Sequence, residues 1–279
     1  MLRKLLKYDF KSIIKIWFIL SLSIVAFSVP VGYAMKIATE PREIPIGLEI
    51  LSSLGTIILF LGLIAYVLIT GILIFKRFYK NFFTDEGYLT FTLPTNRNQL
   101  LFSKVLFGSI SYSATIMVAF VALYILLRIS IGEALITIND WKELVGILNE
   151  ELYLGTAVSV LYIVSVLLLA FIIFILANCV SVIFLYLCIT IASIITKKNK
   201  VITAIGIYYL TNSVLSFVLM MFSLFGISGI AYWIQDLNAR QGFSFILLAI
   251  LLLALFLALI VVGLYLIIYR LLDKKLNLT

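Results

Sequence analysis

The chain has 279 residues, 64% of them hydrophobic and 12% charged, with a mean hydropathy of +1.21 and a formal net charge of +8. A soluble domain carries about 25% charged residues, so the composition excludes that class and points to an all-α polytopic membrane protein, one transmembrane domain over residues 1–279. Histidine is absent, which removes the commonest metal ligand and general base, and with them Ser-His-Asp and Cys-His catalysis.

A membrane-crossing helix needs about 20 mainly apolar residues. Residues 1–12 precede the first such run. Leu2, Leu5, Leu6 and Ile13 share one helical face there, with Lys4, Lys7 and Lys11 opposite. This is the pattern of an amphipathic helix lying in the headgroup layer, and Asp9 interrupts its apolar side. Six spans are expected: 13–35, 50–75, 105–127, 155–195, 201–225 and 245–269. The first outruns a signal-peptide core of about 7–15 residues and reads as retained. In the second, Gly55 and Gly62 are seven apart, so they share a face and admit another helix closely. Cys179 and Cys188 lie in one apolar run without CxxC spacing and read as packing residues. The run 155–195 would reach roughly 60 Å as one straight helix, about twice the hydrocarbon thickness. Either it is one span, tilted, broken or packed above the membrane in its first part, or it is two spans turning near Asn178.

The loops orient the chain. The basic residues concentrate at the N-terminus (Arg3, Lys4, Lys7, Lys11, Lys15), in 76–104 (Lys76, Arg77, Lys80, Arg97, Lys104), in the link TKKNK (Lys197, Lys198, Lys200) and at the C-terminus (Arg270, Lys274, Lys275). The alternate loops hold most of the acids, among them Glu133, Asp140, Glu143, Glu150 and Glu151. Basic loops stay in the cytoplasm, so both termini, 76–104 and TKKNK are expected inside the cell membrane, with 128–154 outside. Six spans satisfy this, whereas a seventh would put TKKNK outside. The positive charge is therefore read against the lipid bilayer, and nucleic acid is not expected as a partner.

No Asp, Glu, Lys or Arg lies near the middle of an expected span. Ion-coupled carriers bind their ion with such groups, which disfavours that mechanism. No GxxxxGK[ST] occurs either, so the chain holds no phosphate-cradling loop and is not expected to be an enzyme or to bind a cofactor itself. The spans carry mild polarity instead. Thr56, Tyr66 and Thr70 in the second and Tyr208, Tyr209, Asn212 and Ser216 in the fifth are candidates for a substrate path or subunit interface, although such residues also serve plain helix–helix contacts.

The connector FKRFYKNFFTDEGYLTFTLPTNRNQLLFSK, Phe75–Lys104, is the chemical exception. KRFYKNFF shows a basic and an aromatic face at helical spacing. Pro94 then stops regular structure, and Thr95 can cap a new helix, so a short helix, a turn and a re-entry are expected. The headgroup layer favours aromatics and could cover some of these. A docking surface for a cytoplasmic protein accounts better for Tyr79, Phe82, Phe83, Tyr88 and Leu93 as apolar anchors, with Asp85 and Glu86 for polar pairing.

The run YKNFFTDEGYLTFTLPTNRNQLLFSK resembles the cytoplasmic coupling segment of ABC-2-type transporter permeases, particularly small six-span permeases of Gram-positive bacteria. The matching positions are Asp85, Glu86, Gly87, Tyr88, Leu89, Leu93, Pro94, Gln99, Leu100, Leu101 and Lys104. The resemblance implies a permease that pairs with a second copy or a related permease. It also implies separate ATPase subunits, holding ATP and Mg, which would dock on a coupling helix within 76–104 and drive export of a peptide or other amphipathic compound. An alternative from another class is a membrane sensor or immunity protein that binds an antimicrobial peptide without ATP-driven transport.

Overall fold

The computed structural model describes residues 2–39, 46–84, 97–132, 138–152, 156–196, 199–235 and 239–276. These form seven α-helices: α1 (Leu2–Thr39), α2 (Ile46–Phe83), α3 (Arg97–Ile131), α4 (Ile138–Leu152), α5 (Thr156–Ile195), α6 (Lys200–Gln235) and α7 (Ala239–Leu276), with no strand among the described residues. Five of them, α1, α2, α3, α5 and α7, are long and apolar enough to cross a membrane. The expected span 201–225 lies within the helical α6 but is not among these five. The chain divides into two compact units, residues 1–137 and 138–279.

In the first unit α1 packs along both α2 and α3. Its pairings with α2 run in opposite senses, Ser21 with Tyr66, Ile24 against Gly62 and Val31 against Gly55, so these two helices are antiparallel. With α3 they run in the same sense, from Phe10 with Phe107 through Trp17 with Thr115 to Gly32 against Ile129. Lipid tails are as apolar as Leu, so close approach and interhelical hydrogen bonds hold such helices together. Gly55 and Gly62 provide that approach: a Cβ on either would lie 3.5 Å or 3.4 Å from an α1 side chain. Val31, Leu59, Leu63, Ala122 and Leu126 fill the space between the three helices.

Gly32 is a tighter approach than Gly55 or Gly62. A Cβ there would meet the Ile129 Cβ at 3.0 Å and the Leu126 carbonyl oxygen at 3.2 Å, and a backbone oxygen yields less readily than a side-chain tip. Gly32→Val is therefore expected to lower the stability of this unit by about 2 kcal/mol, the usual range for overpacking, read as an earlier thermal transition in detergent. At the far end α3 stops at Gly132, whose φ of +80° lets its N–H close on the Arg128 carbonyl at 3.2 Å. This is a left-handed helix cap that favours glycine.

Two of the expected boundaries fall inside continuous helices. The expected interfacial helix over 1–12 is not a separate element, because α1 is continuous from Leu2 to Thr39, through Pro30. No helix breaker separates residues 10 and 13, and Ile13 is buried on the same side as Asp9. Likewise KRFYKNFF does not open a new helix: it forms the last two turns of α2.

In the second unit α5 runs unbroken for 40 residues, so no turn occurs at Asn178. That side chain is buried and donates from Nδ2 to the Phe174 carbonyl at 2.7 Å, one turn back in its own helix. The C-terminal half of α5 is the packed half, burying Val182, Ile183, Tyr186, Ile189 and Ala192, whereas Leu161, Leu168 and Phe171 are exposed. The close link to α6 is fastened by Thr196, whose hydroxyl donates to Ala192 O and to Thr203 Oγ1. Further from that link the rings of Phe184 and Tyr208, 5.8 Å apart, keep the two helices together. The segment expected as a loop outside contains α4, whose Trp141, Leu144 and Ile147 are exposed.

Candidate functional site

Asp9 is the centre of the first unit's polar chemistry. It sits in the third turn of α1 and is 1% exposed. Its Oδ1 accepts from Lys104 Nζ at 2.7 Å and from Arg77 Nε at 3.0 Å, and its Oδ2 accepts from Lys104 Nζ at 2.6 Å. One carboxylate thus ties the beginning of α1 to the end of α2 and the beginning of α3. Lys104 is buried, while the Arg77 side chain keeps 25% of its surface exposed. Charges buried in a low-dielectric interior persist only when paired and hydrogen-bonded. Phe10 covers the cluster's flank edge-on to Phe107, with ring centres 5.0 Å apart.

Above this cluster runs a sparser polar seam. Trp17 Nε1 donates to Thr115 Oγ1 at 2.9 Å, and the Ser21 and Tyr66 hydroxyls share a hydrogen bond of 2.6 Å. Thr70 and Thr115 turn their hydroxyls back onto the carbonyls of Tyr66 and Ser111. Tyr66 and Thr70, candidates for a substrate path, are buried in the interior of their unit, Tyr66 against Ser21 of α1, and Thr56 is half-buried with its hydroxyl on Ser53 O. The other candidates lie in the second unit. Tyr208 is half-buried against Phe184, Tyr209 is 69% exposed, Asn212 is half-buried and Ser216 exposed. Tyr209, Asn212 and Ser216 share one face of α6 by their spacing.

Directly beyond Arg77 the end of α2 carries the aromatic cluster. Phe78 and Phe82 are buried with ring centres 4.8 Å apart, and Asn81 is buried beside them. Tyr79 and Phe83 are half-buried on an adjoining flank of the helix, 6.1 Å from each other, with Phe75 6.4 Å from Tyr79, and the Phe83 ring also lies 6.1 Å from Phe78 and 6.4 Å from Phe82. Of the expected docking residues, Phe82 thus faces its own unit, while Tyr79 and Phe83 remain partly open. Asp85, Glu86, Gly87, Tyr88, Leu93 and Pro94 lie outside the described residues.

Sequence reasoning does not single out Asp9, Arg77 and Lys104 as a group. The available signal is the acid itself, on the apolar side of an otherwise basic stretch. An acid in that position asks for a buried cation, and Arg77 and Lys104 are the cations that flank the connector. Comparison with protein-family models, with curated proteins and with solved structures finds no match for this chain.

Proposed function

We propose that this chain is the permease subunit of an ATP-binding-cassette transporter of the ABC-2 kind, exporting a peptide or other amphipathic compound across the plasma membrane. On this reading α1, α2, α3, α5, α6 and α7 all cross, both ends of the chain are cytoplasmic, and 128–154 lies outside. Separate ATPase subunits holding ATP and Mg dock on 76–104, and a second copy or a related permease completes the path. The observation that carries the reading is the construction of the end of α2. Tyr79 and Phe83 stand partly open immediately after Arg77, which Asp9 links to α1 and, with Lys104, to α3. A displacement applied at Tyr79 or Phe83 is therefore delivered to three helices. A partner shifts such an element only through contacts that differ between its two positions, and an aromatic edge beside the acid-Gly-Tyr-Leu stretch can supply them.

The direct test is a gentle detergent pull-down of the tagged chain from its native membrane, with mass spectrometry of what accompanies it. The expected result is a P-loop ATPase in stoichiometric amount. The chain alone, even after crosslinking, would favour a sensor or immunity protein. The topology is tested with Asn139→Cys, which a membrane-impermeant thiol reagent is expected to label in intact cells. Labelling only after lysis would invert it.

A further inference from the structure

We propose that the end of the α1–α2 pair is a binding site for one anionic lipid, its phosphate held by Arg77 and its acyl chain laid along α2. The Asp9 carboxylate is shared unequally between its two cations. Lys104 takes both oxygens, at 2.7 Å and 2.6 Å, whereas Arg77 reaches one of them through Nε alone, at 3.0 Å. Arg77 is thus the less neutralised of the two, and a cation beside a low-dielectric interior gains from the approach of an anion. It is also the member open to that approach, with 25% of its side chain exposed. Its Nε is committed to Asp9, and its terminal NH2 groups have no partner among the described residues. A guanidinium offers a planar fork of donors that matches a phosphate. Lys80 lies one turn further on and is exposed. In the other direction Leu73 and Ile69 continue the same edge of α2, Leu73 half-buried and Ile69 38% exposed. The strip is thus cationic at its end and apolar along its length. That is the complement of a lipid, and a free phosphate would use only half of it. Basic sites at helix ends are the usual receptors for anionic headgroups.

The test is native mass spectrometry of the full chain, released from mixed micelles with increasing phosphatidylglycerol in phosphatidylcholine. Wild type is expected to retain one phosphatidylglycerol saturably. Arg77→Gln is expected to raise the half-saturating fraction about tenfold, the loss of a charge-assisted hydrogen bond. Arg128→Gln, an exposed cation near the opposite end of α3, is expected to leave it unchanged. Equal retention by wild type and Arg77→Gln, or an equal loss in Arg128→Gln, would reduce the effect to general surface charge and overturn the site. Displacement of the lipid by inorganic phosphate at matching concentration would assign the site to a free anion and overturn the lipid. Should Arg77→Gln not fold, Arg77→Lys keeps the charge but not the fork. Weaker retention there supports the proposal, and unchanged retention overturns it.

Discussion

Asp9→Ala is expected to be among the most damaging single substitutions in the first unit, lowering its stability by about 3–5 kcal/mol. The reason is what it leaves behind rather than what it removes. Lys104 is 4% exposed and is paired with Asp9 at 2.6 Å, so the variant strands a buried ammonium. Arg77, with a quarter of its side chain in the open, can turn to water and suffers less. The expectation separates into a cycle. Lys104→Met alone leaves Asp9 with Arg77 and should cost less than Asp9→Ala. Asp9→Val combined with Lys104→Met replaces the buried pair by apolar groups of closer volume, which is often neutral or stabilising. It should therefore recover most of the loss. Thermal unfolding followed by size-exclusion chromatography in detergent reads all three. A double variant no better than Asp9→Ala would mean that the carboxylate has a role beyond neutralising Lys104. An Asp9→Ala protein as stable as wild type would remove the cluster from the account of this fold.

How much of this is legible in the sequence follows the kind of signal each residue gives. Long apolar runs announce helices, and α1, α2, α3, α5 and α7 stand where hydropathy puts them. The glycine spacing at Gly55 and Gly62 announces a close neighbour, and α1 fills that place. Helix ends are harder. Charge at Lys76 and Lys80 suggests leaving the membrane, and leaving the membrane is easily equated with breaking the helix. Nothing in KRFYKNFF breaks one, however, and burial of Phe78 and Phe82 holds the last two turns onto the unit. Asn178 likewise offers a polar interruption in an apolar run, but its amide is satisfied within α5, so a turn has nothing to gain. Tyr66 shows a related limit. A hydroxyl in a span is a candidate for lining a path until its partner is known, and Ser21, forty-five positions away, is invisible to local pattern. The Asp9 cluster is the extreme case, since its three residues meet only when three helices are assembled.

The aromatic cluster at the α2 end yields the second large effect. On the proposed function, Tyr79→Ala with Phe83→Ala is expected to weaken capture of the proposed ATPase partner by at least about thirtyfold, since aromatic anchors at the centre of an interface cost about 2 kcal/mol or more when truncated. The chain itself should lose less stability than Phe78→Ala costs, because both side chains are only half-buried, although Phe83 also touches Phe78 and Phe82. Phe78→Ala is expected to do the reverse. Phe78 is 1% exposed and packs on Phe82, so its loss opens a cavity worth about 3–5 kcal/mol, and reduced capture should follow only from reduced folded protein. On the proposed function, Glu86→Ala, in the stretch that carries the family resemblance, is expected to lower transport while leaving the chain in the membrane. The comparison is made by pull-down, thermal transition and transport on the same preparations. If Tyr79→Ala with Phe83→Ala captures the partner as wild type does, the docking surface is elsewhere and the end of α2 serves only its own unit. If Phe78→Ala is instead the variant that loses the partner while remaining folded, the buried side of the helix must open on docking, and the Asp9 cluster that anchors it is then the element to follow between the two states.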